Sequence, residues 1–206
     1  EIAQCLVGSE MCIRDRSNFS SKILVFLLVP LYTSVLSTKE YGTYDLAVST
    51  ATLLYPILTL NIVDAVMRFL MDKESDKKAI ASIGLKYVSI SSVLFGFIML
   101  FFYITGIWSE INGLEGYIFS YYISYVINQF FIQFAKGLEK VKNMGVAGVL
   151  STIVTIIANL FFLLVIKWGL IGFFLANILA QIVSAIYLFM KTEIYNLSLI
   201  HISEPT

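Results

Sequence analysis

Long apolar runs alternate with short polar segments along almost the whole chain. Six such runs cover residues 17–36, 43–70, 79–104, 117–135, 144–166 and 168–190. A helix needs about 20 apolar residues to cross a hydrocarbon core of roughly 30 Å, and lipid offers no partner to free backbone groups. The pattern therefore predicts an all-α fold, a polytopic membrane bundle of six transmembrane helices.

The second run, residues 43–70, is longer than the others and carries Pro56 near its middle. Proline removes one helical hydrogen bond and clashes with the preceding turn. We therefore expect a tilted or kinked helix here, and Pro30 predicts a kink in the first run as well.

Basic residues are distributed unevenly between the loops. Only Lys39 and Lys167 lie in one set of alternate loops, whereas the other set carries seven lysines: Lys73, Lys77, Lys78, Lys136, Lys140, Lys142 and Lys191. Because cytoplasmic loops are enriched in Lys and Arg, both ends of region 17–196 are predicted to lie in the cytoplasm.

The composition agrees with a membrane protein, since 58% of the residues are hydrophobic and only 14% are charged. The formal net charge is zero, and most Lys and Arg residues flank apolar runs. We therefore expect no nucleic-acid partner.

The two ends of the chain, residues 1–16 and 197–206, differ from the region between them. LSLIHISEPT is encoded by a DNA string that resembles an adapter of transposase-based sequencing libraries. The reverse complement of the same string encodes VGSEMCIRD, residues 7–15. We interpret both ends as adapter sequence and residues 17–196 as the natural part, a fragment of a longer protein.

This interpretation removes the residues best suited to covalent or metal chemistry. Both cysteines, Cys5 and Cys12, and the single histidine, His201, lie in these ends. Region 17–196 therefore offers no thiolate or imidazole for a metal site or a nucleophile. We expect no metal, no cofactor and no catalytic residue, and hence no enzyme.

Polar residues in the second run form the first group of candidate site residues. Asn61, Asp64 and Arg68 lie at i, i+3 and i+7, which places them on one face of a helix, and Asp64 and Arg68 are spaced for an ion pair. In one interpretation, Arg68 binds an anionic group that Asp64 helps to orient. In the other, Arg68 extends to the cytoplasmic interface and Asp64 neutralises it.

Lys22 and Asp45 lie near opposite ends of the first and second runs. For Lys22, a cavity position and an interfacial position both stay open. For Asp45 the position favours a structural role at the interface.

The fourth run carries the second group of candidates, with polar residues repeating at every fourth position. The repeat runs from Tyr117 through Gln133 and drifts slowly around the helix, so that Tyr121, Tyr125 and Gln129 lie on nearly one face. Phenol and amide groups there would contact sugar hydroxyls in a cavity. The alternative is an aromatic belt at the interface combined with hydrogen bonds between helices.

Two segments carry a resemblance to a known family: SKILVFLLVPLYTSVLSTKEYGTYDLA, residues 21–47, and LNIVDAVMRFLMD, residues 60–72. They closely resemble the start of the Wzx-like oligosaccharide-lipid flippases of the polysaccharide transporter family. This family belongs to an exporter superfamily that also contains the MATE antiporters and the MurJ-like lipid II flippases. The similarity covers the predicted natural region, but only the first six of the family's helices.

The resemblance implies two six-helix bundles around a central cavity, with this chain as the N-terminal half of a MATE-like transporter. It implies translocation of an undecaprenyl-diphosphate-linked oligosaccharide across the bacterial cytoplasmic (inner) membrane for surface polysaccharide such as O-antigen or capsule. The implied partners are this substrate, membrane lipid and other polysaccharide assembly proteins. Lys22 and Arg68 occupy places comparable to cationic cavity residues of related flippases.

Two other functions stay open at this stage. A MATE-like, ion-coupled multidrug exporter would use Asp45 or Asp64 as its coupling carboxylate. A membrane glycan polymerase would need a polar catalytic loop, but the longest outer loop, residues 106–116, has only Glu110 and Glu115 as charged groups.

Overall fold

The computed structural model describes residues 35–72, 76–106, 108, 111 and 113–192. All long regular elements in this part of the chain are helices: α1 (Thr38–Leu58), α2 (Ile62–Leu70), α3 (Lys77–Thr105), α4 (Glu115–Gly137), α5 (Val141–Asn159), a π-helical segment (Leu160–Val165) and α6 (Gly169–Thr192). The all-α bundle is thereby confirmed. The predicted first span lies outside the described residues except for its last two.

Predicted spans three to six correspond to α3, α4, α5 with the π segment, and α6, with ends that shift by only a few residues. Three helices are long and apolar enough to cross a membrane: α3, α5 with its π segment, and α6. The bent pair α1 and α2 adds a fourth if the two helices together form one span. Helix α4 has a similar length but is less apolar, because it carries the stripe of tyrosines and amides.

Helices α1 and α3 begin at residues that satisfy free backbone N–H groups. At the start of α1, the Ser37 hydroxyl accepts from the Glu40 N–H at 3.2 Å and the Glu40 carboxylate accepts from the Ser37 N–H at 2.8 Å. Asp76 accepts from the N–H groups of Lys78 and Ala79 at the start of α3. These contacts fix where each helix enters the bundle.

The predicted bend in the second span is present, but it lies beyond Pro56. Helix α1 continues through Pro56 to Leu58, and α2 begins at Ile62 after a bend of 60°. Leu60 and Asn61 in between have φ angles of 51° and 57°. Two consecutive left-handed residues cannot continue a helix, so this pair rather than the proline ends α1.

Helix α4 lies at the centre of the described bundle and contacts all five other helices. Its close approach to α2 and α3 depends on two glycines. A Cβ on Gly137 would lie 2.6 Å from Leu70 Cβ, and one on Gly84 of α3 would lie 2.5 Å from the Phe130 ring. Gly148 of α5, by contrast, has nothing within 4 Å of a Cβ position.

Helices α5 and α6 form an antiparallel pair joined by a tight turn. Lys167 and Gly169 in this turn have φ angles of 62° and 54°. A Cβ on Gly172 would lie 2.9 Å from Phe162 Cβ, so the backbone of α6 passes close to the π segment. Many large apolar side chains of α3 and α5 are exposed, as expected for surfaces that contact lipid.

Contacts between helices show which of their ends lie together at each end of the bundle. The Lys140 ammonium donates to the Lys191 carbonyl at 2.7 Å, and Gly137 packs against Leu70. A Cβ on Gly169 would lie 3.7 Å from Glu40 Oε1 at the opposite end. We call the end that carries Arg68, Lys136, Lys140 and Lys191 the basic end.

Candidate functional site

The repeating polar residues of α4 lie in the interior of the bundle. Tyr121 is buried, and Tyr125, Gln129 and Gln133 are half-buried. From Tyr121 to Gln133 the helix rises about 18 Å, more than half of a hydrocarbon core of about 30 Å. The stripe therefore extends deep into the membrane from the basic end.

Asp64 of α2 is joined to this stripe, because Gln133 Nε2 donates a hydrogen bond to Asp64 Oδ1. Asp64 is half-buried and lies in the first turn of α2, where a negative charge stabilises a helix. Within the described residues Asp64 forms no ion pair with Arg68. The carboxylate is held by a neutral amide of another helix.

Tyr55 of α1 completes the arrangement. Its ring packs edge-on against Tyr125 at 5.6 Å, and Tyr125 stacks on Tyr121 with ring centroids 6.1 Å apart. Asp64 interacts electrostatically with both Tyr55 and Tyr125, and Tyr125 lies within hydrogen-bonding reach of Gln129. We call the six residues Tyr55, Asp64, Tyr121, Tyr125, Gln129 and Gln133 the polar column.

The column contains buried polar atoms that lack partners in the described part of the chain. The hydroxyl of Tyr55 and the Oε1 atom of Gln133 are buried and accept or donate no hydrogen bond there. Such groups are costly to bury without a partner, so they indicate positions that water or a ligand would satisfy.

Tyr55 was not among the residues selected from the sequence. The signal was present in α1, where Ala47, Ala51, Tyr55 and Thr59 recur every four residues and are all buried. This spacing marks the inward face of the helix, but Tyr55 next to Pro56 lacks the repeat of polar side chains that identified α4.

A second pair of amides joins α4 to α6. Asn128 Nδ2 donates to Gln181 Oε1 at 2.5 Å, while Asn177 donates to the carbonyl of Phe173 in its own helix at 2.9 Å. These bonds hold helices together or satisfy a side chain locally. Hydrogen bonding between helices, one of the two interpretations of the α4 amides, is therefore present at both Asn128 and Gln133.

The remaining candidates lie outside the polar column. Asp45 is exposed in α1, and Arg68 is exposed in the last turn of α2. The prediction that Asn61 shares a helix face with Asp64 and Arg68 is wrong, because Asn61 is left-handed and precedes α2. Lys22 lies outside the described residues.

Chemically, the column offers phenols and amides around one carboxylate. Its neutral groups both donate and accept hydrogen bonds, which suits hydroxyl-bearing ligands. Among the described residues there is no group of three His, Cys, Asp or Glu side chains that would hold a metal ion.

Comparison with known proteins identifies the family to which the chain belongs. The family model described as polysaccharide biosynthesis protein matches residues 16–202. The chain belongs to this family. No curated protein and no solved structure matches it.

Membership in the polysaccharide biosynthesis protein family agrees with the resemblance found in residues 21–47 and 60–72. Together with the apolar helices, it indicates a multi-pass membrane protein with a transport role in polysaccharide biosynthesis.

Proposed function

We propose that this protein translocates a lipid-linked oligosaccharide, of the undecaprenyl-diphosphate type, across the bacterial cytoplasmic membrane for surface polysaccharide synthesis. The observation that carries the proposal is the polar column inside the membrane bundle of a polysaccharide biosynthesis family member. The column is deep, largely neutral and rich in groups that bind hydroxyls.

A flippase must replace the water around a glycan while the polyprenyl tail stays in lipid. Each sugar hydroxyl requires donors and acceptors, because an unmet hydrogen bond in a dry interior is costly. Gln129, Gln133 and Asp64 supply these groups, and the unpartnered hydroxyl of Tyr55 adds another. The tyrosine rings provide apolar faces for the C–H groups of a sugar.

The diphosphate requires positive charge, which the described part of the column lacks. Arg68 is exposed one helical turn from Asp64, at the basic end. A guanidinium binds phosphate oxygens through paired hydrogen bonds, so Arg68 is the described residue best suited to this group. Lys22 is proposed as its second cation, from the predicted place of residues 17–36.

In this proposal residues 17–196 are one half of the transporter. A second six-helix bundle would close the column, and the basic end would face the cytoplasm, where the substrate is loaded. Recovery of the uninterrupted gene from source DNA tests this: a reading frame that continues past residue 196 with unrelated codons supports it. A frame that contains residues 1–16 and 197–206 as printed contradicts it.

The function is tested by deleting the gene in its host and restoring the full-length version. We expect surface polysaccharide to disappear on deletion, to return with the wild type, and to stay absent with Arg68→Ala or Lys22→Ala. Lys86→Ala, which removes an exposed cation of α3, is the matched control and should restore the polysaccharide. Unchanged surface polysaccharide after deletion would refute the proposed function.

The half-buried carboxylate of Asp64 also suits a second function, ion-coupled export of a small amphiphile. An exporter of this kind needs an ionisable group inside the membrane that its cargo and a cation use in turn. The deletion strain distinguishes the two. Increased drug sensitivity that only wild type, and not Asp64→Asn, corrects would favour export, provided that surface polysaccharide is normal.

A further inference from the structure

The break between α1 and α2 exposes polar groups that no described residue satisfies. The carbonyl of Leu60 accepts no backbone hydrogen bond within the described residues. The Asn61 side chain is exposed and does not cap α2. Both residues have positive φ angles, so the chain cannot continue the helix here.

The break lies at membrane depth. Asn61 precedes Arg68 of the basic end by two helical turns, which is about 10 Å along α2. Because α2 is bent 60° from α1, its rise is not a depth, but contacts with α4 give one. Asp64 bonds to Gln133, about 6 Å from the end of α4 at Gly137, and Tyr55 packs against Tyr125, about 18 Å from that end. Asn61 thus lies between the levels of Asp64 and Tyr55.

Lipid is an unsuitable environment for this segment. Non-helical backbone at membrane depth is tolerated where protein buries it or where it lines a water-filled cavity, because hydrocarbon cannot bind its free carbonyls. The described helices leave the segment uncovered, with Leu60 70% exposed. Of the two permitted environments, a water-filled one is the one that suits the exposed amide of Asn61.

We propose that the break at Leu60 and Asn61 faces the aqueous pathway and binds hydroxyl groups of the passing glycan. This step rests on the proposed function. The Asn61 amide donates and accepts, and the Leu60 carbonyl accepts, which matches a sugar hydroxyl. An anionic group fits poorly, because the Asp64 carboxylate already occupies the first turn of α2 and repels it.

Water access is tested by thiol labelling of the full-length protein in open membrane sheets. Any cysteine of the full-length protein is first replaced by serine, and Asn61→Cys is treated with a charged methanethiosulfonate reagent. Leu53→Cys, on the exposed apolar surface of α1, is the lipid-facing control, and Lys142→Cys, exposed in the first turn of α5, is the water-accessible control. We expect Asn61→Cys to react at least about tenfold faster than Leu53→Cys, since only a hydrated thiol ionises. Equal, slow labelling of both would overturn the proposal.

The glycan contact is tested with Asn61→Gly, which keeps the left-handed backbone and removes the amide. We expect export of surface polysaccharide to fall roughly fivefold at equal membrane abundance, the factor that one net hydrogen bond contributes. Ser89→Gly, on the exposed surface of α3, should leave export unchanged. Full export by Asn61→Gly would overturn the contact even if labelling were fast.

Glycan transport by the protein and hydration of the break at Leu60 and Asn61 are tested by separate measurements. Unchanged surface polysaccharide after deletion of the gene would refute glycan transport, whereas thiol labelling would still decide whether the break is wet. If surface polysaccharide depends on the gene but Asn61→Cys is labelled slowly, only the proposal that the break faces the aqueous pathway is overturned.

Discussion

At the scale of single residues, the polar column depends on the contact between Asp64 and Gln133. The two side chains are far apart in sequence and lie on different helices. A carboxylate within a membrane bundle is unfavourable unless it is hydrogen-bonded, and Gln133 supplies that bond. Removing either partner should therefore destabilise the packing of α2 on α4.

We predict that Asp64 and Gln133 are energetically coupled. In a double-mutant cycle of Asp64→Ala and Gln133→Ala, the coupling free energy should be about 1 kcal/mol, the size of hydrogen bonds between membrane helices. The measurement is reversible unfolding in detergent followed by circular dichroism. Asn128 bonds to Gln181, so a cycle of Asp64→Ala with Asn128→Ala is the control and should be additive. Additive behaviour of the first cycle would contradict the contact.

Gly137 lies in a packed interface between helices and Gly148 does not, and reversible unfolding in detergent should distinguish them. A Cβ on Gly137 would lie 2.6 Å from Leu70 Cβ and 3.0 Å from the Met67 carbonyl. Gly137→Ala should therefore lower the free energy of unfolding by about 1–3 kcal/mol, because a packed interface must move. Gly148→Ala meets nothing within 4 Å and should not lower it. Equal effects of the two substitutions would show that α2 and α4 are not in close contact.

At the scale of elements, the second span combines what a sequence pattern predicts well and what it predicts poorly. The length of run 43–70 and its proline indicated a bend, and a 60° bend is present. Its position was not predictable from Pro56, because α1 continues through the proline to Leu58 and ends only before the left-handed pair Leu60 and Asn61. The left-handed conformation of Leu60 goes against the preference of a leucine, so the residue type did not mark the break.

The left-handed Leu60 gives a prediction for the break. Leu60→Gly should raise the free energy of unfolding by up to about 1 kcal/mol, because glycine adopts a positive φ without a steric penalty. Leu60 is 70% exposed, so little packing is lost. Leu60→Ile is the opposite variant and should lower stability, since a branched Cβ disfavours this conformation. If Leu60→Gly is the less stable of the two, the break is not strained as described.

The helices of the bundle were predictable for a simple physical reason, while the partners of their polar residues were not. Apolar runs flanked by charges fix where α3, α5 and α6 begin and end, because the membrane sets their length. The repeat of Tyr121, Tyr125, Gln129 and Gln133 fixed a helix face, but not which helix it meets. Periodicity in one helix contains no information about the neighbouring helix. The sequence spacing therefore suggested Arg68 as the partner of Asp64, whereas in the structure its partner is Gln133 of α4.

At the scale of the whole molecule, charge divides the bundle into two unlike ends. Arg68, Lys136, Lys140 and Lys191 lie at one end, whereas Glu40 and the turn at Gly169 lie at the other. Positively charged loops are retained on the cytoplasmic side during insertion. The basic end is therefore expected to face the cytoplasm, which would place the open end of the polar column where a lipid-linked glycan is made.

Reporter fusions in the full-length gene test this orientation. Alkaline phosphatase, which is active only after export, should be inactive when inserted after Asp76 or Glu139 and active when inserted after Gly113 or Lys167. If lysines set the orientation, replacing Lys136, Lys140 and Lys142 by glutamine should also give partial activity after Glu139, since that loop would no longer be held inside. Full activity after Asp76 in the wild type would mean that the column opens to the outside, and loading from the cytoplasm would then be impossible along this path.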